Sequence, residues 1–163
     1  MAEIDNLLNS LMQVPGMRVM HFAKDDTICK NIQNFCKGSD FDSEYLILTF
    51  SQDDEEKLKY LEDDITKVKY VNENRAKFNI QAKLYDYLFI TNLPNEMQSF
   101  FKRVYSALKN GAPIFIFLDK NDRELAYKLE SELIESNYVA SNKMQIDNFL
   151  VLSSKKMHGW SGA

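Results

Sequence analysis

Short apolar runs alternate with amphipathic stretches along this chain, and two final strands are joined by only two residues. This pattern constrains the fold more than any other feature. The apolar runs are residues 17–23, 45–50, 68–71, 85–91 and 114–118. The run 45–50 (YLILTF) is almost wholly apolar, as strands covered on both faces are. Between the runs, apolar residues recur at helical spacing: Ile28, Ile32, Phe35 and Cys36; Leu58, Leu61 and Ile65; Met97, Phe100, Phe101, Val104, Tyr105 and Leu108; Leu125, Leu129, Leu133 and Ile134. Strands then follow at 141–146 and 149–154, and the Asp147-Asn148 connection is a hairpin signal. The expectation is an α/β fold: a mostly parallel central sheet, helices on both faces, and a C-terminal antiparallel hairpin.

Local signals refine this. Residues 3–13 read as an amphipathic helix stopped at Pro15-Gly16. Asp25-Asp26-Thr27 offers N-caps for the next helix and Gly38 a stop, and Ser51-Gln52-Asp53-Asp54 resembles a capping box. Asn95 and Asn121 are further cap candidates, and Asn110-Gly111 closes the helix before the fifth strand. Residues 72–84 read as irregular or weakly helical. Leu46, Leu48, Leu88, Ile90, Phe100, Leu108, Ile114 and Ile116 are the expected core. The chain divides into a helix at 1–16 that packs on the body, an α/β domain at 17–154, and a tail at 155–163.

Composition narrows the function. The 163 residues suit one domain. A net charge of −4 disfavours general nucleic-acid binding, which needs a basic excess. No apolar run approaches the roughly 20 residues a membrane span needs. The acidic start, without a cleavable apolar core, points to the cytoplasm. Cys29 and Cys36 lie two helical turns apart, too far for a disulfide, and read as buried small hydrophobes. In open parallel sheets ligands bind outside the carboxyl ends of the strands, where the strand order reverses. Here those ends are residues 22–27, 49–53, 72–74, 91–95 and 118–121.

The hairpin after a run of βα units, the strand 85–91 opened by Asp86, and the corner Arg103-Val104-Tyr105-Ser106-Ala107-Leu108-Lys109-Asn110-Gly111 together resemble the class I S-adenosylmethionine-dependent methyltransferases. The resemblance implies an acid on the first strand leading into a glycine-rich turn. In its place stand His21 and, at the three glycines, Ala23, Asp25 and Thr27. It also implies a ribose-holding acid at the end of the second strand, where this chain has Leu48-Thr49-Phe50-Ser51. For the acid near the adenine, Glu73 or Asn74 can stand in. Asn92-Leu93-Pro94-Asn95 is similar to the N-P-P-aromatic loop of methyltransferases acting on amino groups, with leucine for the first proline and Asn95 for the aromatic. The implied pocket rim is therefore Ala23, Lys24, Asp25, Thr49, Glu73, Asn74, Asn92 and Pro94.

Each candidate also has a structural reading. His21 reads as a hydrogen-bonded core histidine or as a general base, with no triad partner evident from spacing. Lys24-Asp25-Asp26 and the acidic runs read as helix starts and solvated faces; no spacing matches a metal loop. Trp160, in a tail with basic neighbours, reads as a docking residue or as one folded on the surface. The expectation is a methyltransferase-like protein whose methyl-donor binding is lost or altered and which binds a protein partner or small molecule, with no cofactor. The alternative is an active enzyme using S-adenosylmethionine.

Overall fold

A computed structural model describes residues 2–38, 42–74 and 84–157. The order is α1 (Ala2–Asn9), β1 (Arg18–Phe22), α2 (Cys29–Lys37), β2 (Glu44–Thr49) and α3 (Gln52–Leu58), which runs into a 3₁₀ turn (Lys59–Leu61). Then come β3 (Thr66–Tyr70), β4 (Tyr87–Ile90), α4 (Met97–Tyr105), β5 (Pro113–Asp119), α5 (Arg123–Glu135), β6 (Tyr138–Ile146) and β7 (Phe149–Lys156). Among the described residues one seven-stranded sheet runs β3-β2-β1-β4-β5-β7-β6. Strands β1 to β5 are parallel, and β7 pairs antiparallel with both β5 and β6. Both the parallel sheet and the terminal hairpin follow the expectation. The order reverses between β1 and β4, which makes their carboxyl ends the switch point.

Successive strand residues face opposite sides, so the sheet has two cores. Met20, Phe22, Leu88, Ile90, Ile114 and Ile116 face α4 and α5, packed on Phe100, Phe101, Val104, Leu129 and Leu133. Val19, Ile47, Phe89, Phe115 and Val151 face the other way, under Ile4 and Leu8 of α1 and Ile32 and Phe35 of α2. Of the expected core, Leu48, Leu88, Ile90, Phe100, Leu108, Ile114 and Ile116 are fully or almost fully buried. Leu46 is only half-buried, because it lies on β2 beside the edge strand and at the margin of that core. Ile134 is 62% exposed: it stands 100° around α5 from Leu133, and Leu133 takes the inward place.

Other boundaries shift for local reasons. Helix α1 stops at Asn9, where Ser10 donates to the Leu7 carbonyl at 2.6 Å, although Leu11 still packs on the core. The fourth run pairs continuously only over β4; Tyr85 makes an isolated bridge to Leu108. Asp86 sits at the amino end of the sheet, accepting from the Arg18 N–H at 2.9 Å and from Lys109 Nζ at 2.9 Å. The aspartate of the family-like strand thus splices β1 to β4, far from the switch point. Ser51 does cap α3, accepting from the Asp54 N–H, and three acids of its first turn suit the helix dipole. The caps expected at Asn95 and Asn121 fall instead at Glu96 and Asp122, neither with a side-chain bond. Gly38 ends α2 in a right-handed conformation. Gly111 holds φ +79°, a value glycine takes without strain, and turns the chain into β5. Most of the 72–84 stretch and the Trp160 tail lie outside the described residues.

Candidate functional site

The carboxyl ends of β1 and β4 are tied at one atom. The Phe22 carbonyl accepts from the Thr91 N–H at 3.0 Å, the Asn92 N–H at 3.1 Å and the Thr91 hydroxyl at 3.3 Å. Ala23 extends the ladder by donating to the Leu48 carbonyl, and then the chain turns away. Lys24, Asp25 and Asp26 are exposed on that turn. Asp25 accepts from the Thr27 N–H at 3.1 Å, and Asp26 from the Tyr60 hydroxyl at 2.5 Å. Asp25, Asp26 and Thr27 therefore build the turn and do not cap α2. Its N-cap is Ile28, with no side-chain cap bond and φ +59°. That left-handed value is costly for a β-branched residue, and the fully packed Ile28 side chain holds it in place. Ala23, Asp25 and Thr27, at the three glycine places, are not among the residues with positive φ.

Beneath this turn, on the α1/α2 side, lies a buried polar network. His21 Nδ1 stands 2.7 Å from the Tyr45 hydroxyl, and Nε2 stands 2.8 Å from Thr91 Oγ1. Thr91 donates onward to the Phe22 carbonyl, so its oxygen accepts from Nε2–H, and Nδ1 accepts from Tyr45. That tautomer is assigned from the network. Cys29 Sγ lies 3.8 Å from Nδ1 and 3.6 Å from the Asp25 carbonyl. Cys29 is buried, as its sequence reading has it, but its approach to His21 depends on the turn of residues 23–28 and not on spacing. Burial pushes the His21 pKa down to about 3 and the Cys29 thiol up to about 12. Burial also holds the Tyr45 phenol well above its ordinary value. All three are neutral at pH 7. A thiol that stays protonated is a poor nucleophile, and a histidine with both nitrogens engaged and no exposed surface has no proton to exchange with a ligand. His21 is thus a hydrogen-bonded core residue.

On the α4/α5 side the same strand ends are aromatic. Phe50, just past β2, stacks on Phe22 with centroids 5.4 Å apart, and Phe100 meets both rings edge-on at 4.8 and 6.2 Å. Thr49 is buried, its hydroxyl donating to the Ser51 carbonyl at 2.9 Å. Where the sequence resemblance implies a ribose-holding acid, the structure thus has a packed ring and a threonine bonded to its own turn. Glu73 is half-buried beyond β3, and its carboxylate accepts from the Asn95 N–H at 3.0 Å. The Arg103 guanidinium donates to the Glu73 carbonyl. Asn74 is exposed and bonds back to Asn72; Asn92 is half-buried and Pro94 buried. The structure thus draws Glu73 to the Asn92–Asn95 loop, Ala23 and Thr49 into the sheet, and Lys24 and Asp25 to the solvent side. Among the described residues no cluster of three His, Cys, Asp or Glu could hold a metal. None of the helices there is long and apolar enough to cross a membrane. One cavity of about 260 Å³ lies at the amino end of the sheet beside Tyr87, Pro113 and Lys155, and another of about 430 Å³ lies between α1 and α2.

No family model matches the sequence, and no curated protein matches it. Solved structures do match the fold. A SAM-dependent methyltransferase from Aquifex aeolicus is similar with a TM-score of 0.72 at 13% identity, over 93% of this chain and 87% of that one. The complex between the Haloferax volcanii Trm112 methyltransferase activator and a methyltransferase gives 0.75 at 7% identity, over 96% and 90%. The CurJ carbon methyltransferase gives 0.69 at 9% identity; 92% of this chain is covered, and the chain spans about half, 51%, of that protein. This chain has the class I methyltransferase fold.

Proposed function

We propose that this methyltransferase-like protein has lost methyl-donor binding and works by binding a partner. The observation that carries the reading is the Glu73 tie. In the sheet β3 and β4 are separated by β2 and β1, three strand spacings or about 14 Å. Yet Glu73, just past β3, bonds Asn95 beyond β4 and receives Arg103 from α4. Glu73 and the Asn92–Asn95 loop therefore meet across the ends of β2 and β1, which lie between them in the sheet, where the donor's adenosine would lie. Val71 and Leu93 pack on the aromatic core.

Electrostatics favour the same reading. With Asp25 and Asp26 exposed on the β1 turn, a donor carboxylate meets like charge. His21 supplies no charge for the donor's amino group. Both losses act together, and each 1.4 kcal/mol of lost interaction is about tenfold in affinity. The Haloferax neighbour is a methyltransferase with an activator partner, and a protein partner is the class of ligand we assign here.

Thermal unfolding with and without S-adenosylmethionine or S-adenosylhomocysteine tests the proposal. A ligand at 100 times its Kd stabilises by about 2.7 kcal/mol, so millimolar ligand on a micromolar site raises the Tm by several degrees. The expected shift is none. A clear rise with either ligand restores the alternative, an active S-adenosylmethionine-dependent methyltransferase.

A further inference from the structure

The sheet treats its two edges differently. Along β3 the outward backbone groups are occupied by side chains. Glu62 accepts from the Val68 N–H at 3.0 Å, Glu55 accepts from the Tyr70 N–H at 2.9 Å, and Lys59 donates to the Val68 carbonyl at 2.9 Å. This is how a folded chain blunts an edge against further pairing. The β6 edge is dressed otherwise. Its first part is bent by a bulge between Val139 and Asn142, with Ala140 at φ +58°. From Asn142 to Ile146 it pairs regularly with β7. In a two-residue hairpin the pair beside the turn, here Ile146 and Phe149, is hydrogen bonded, and the ladder alternates from there. Lys143 and Gln145 then direct their N–H and C=O groups away from β7. Lys143 is the sole charged side chain on β6. Its ammonium is drawn sideways onto α5, 3.0 Å from Glu130 and 4.6 Å over the Tyr127 ring.

Helix α5 flanks this edge and adds a second, independent feature. Tyr127 and Ile134 are each 62% exposed. They lie seven residues apart, two turns of helix, on the side of α5 that meets Lys143, with Ser131 between them. Arg123 lies one turn before Tyr127 on the same side and is exposed. The last turn of α5 carries no base to complement the negative end of its dipole.

We propose that β6 and α5 form a dimer interface with a second copy of this chain, β6 pairing antiparallel with its counterpart so that the sheet continues across a two-fold axis. The occupant follows from self-complementarity, which a two-fold contact requires. In antiparallel α5 helices related by an axis near Ser131, Tyr127 of each meets Ile134 of the other. The same arrangement sets each Arg123 against the other helix's carboxyl end, which lacks a base of its own. An arbitrary extended peptide would use the strand edge but leave the helix stripe and its charge polarity unmatched. The proposal is independent of whether the chain binds a methyl donor.

Sedimentation equilibrium of the whole chain tests it, with two variants. Wild type should fit a reversible monomer–dimer equilibrium. The exposed double variant Tyr127→Lys/Ile134→Lys leaves both cores intact and should weaken dimerisation at least about tenfold, as loss of a central aromatic anchor does. Gln145→Pro, which removes an outward N–H, should weaken it similarly. Amide exchange at Lys143 and Gln145 in the wild type should slow as concentration rises. A wild type that stays monomeric at every concentration overturns the proposal. So does a dimer indifferent to the double variant, or one whose Lys143 and Gln145 amides exchange independently of concentration.

Discussion

His21 and Phe22 are neighbours at the end of β1, yet they live in opposite chemistries. His21 points to the α1/α2 side, where it must find a donor for Nδ1 and an acceptor for Nε2, and it finds one of each in Tyr45 and Thr91. Phe22 points to the α4/α5 side, where it needs only shape, and Phe50 and Phe100 supply it. An apolar cluster loses stability through cavities, in proportion to volume removed. A buried polar network loses it through orphaned groups, largely independent of volume. The two sides of one strand end should therefore fail in different ways, and substitutions and pH separate them.

The largest effect belongs to the aromatic side. Phe100→Ala should cost about 3–5 kcal/mol, read from urea unfolding midpoints, with Leu88→Ala close behind at about 2–5 kcal/mol. A loss below about 1 kcal/mol at either position would show that this core is not central. On the polar side, Tyr45→Phe removes a single oxygen and almost no volume. It should still cost about 1–3 kcal/mol, because buried His21 Nδ1 loses its donor. A neutral Tyr45→Phe would erase the distinction between the sides.

The polar side alone should also respond to pH through His21. This histidine is neutral in the fold with a pKa of about 3, below its ordinary 6.5. A depressed histidine contributes stability that is full above pH 6.5 and falls away as the pH drops from there towards 3, since the unfolded state takes up the proton first. Unfolding midpoints should therefore decline between about pH 6.5 and 5 in the wild type. In His21→Gln, which keeps a polar side chain without the titration, that decline should flatten. An unchanged slope would mean His21 is not buried neutral. The smallest effect is at the tie over the strand ends. Glu73→Ala removes one half-buried acceptor and should cost only about 0.5–1.5 kcal/mol, again read from urea midpoints.

The sequence carried the architecture because alternation of apolar runs with helical faces is a period, and periods survive without knowledge of tertiary neighbours. It missed what neighbours decide. Leu46 satisfies its strand's pattern but sits where the partner layer ends, and Ile134 yields the inward place on α5 to its neighbour Leu133. Asp25, Asp26 and Thr27 are good capping residues locally, yet the chain turns once more before α2, through the left-handed Ile28. The strand ends were legible, since they are set by the runs. Their roles were not, because the bonds of Glu73 to Asn95 and of His21 to Tyr45 and Thr91 join residues 22, 24 and 70 positions apart. The His21–Cys29 approach needed the turn of the 23–28 loop, which no spacing rule encodes.

Whether the strand ends still receive a methyl donor decides between the two functional readings. Isothermal titration of the whole chain with S-adenosylmethionine, and separately with S-adenosylhomocysteine, measures this most directly. No saturable heat is expected at ligand concentrations approaching millimolar. That result should be the same in wild type and in Asp25→Ala, since the Glu73 tie and the aromatic cluster remain. A one-site isotherm with a Kd in the low micromolar range, about −7 to −8 kcal/mol, would contradict the loss of donor binding.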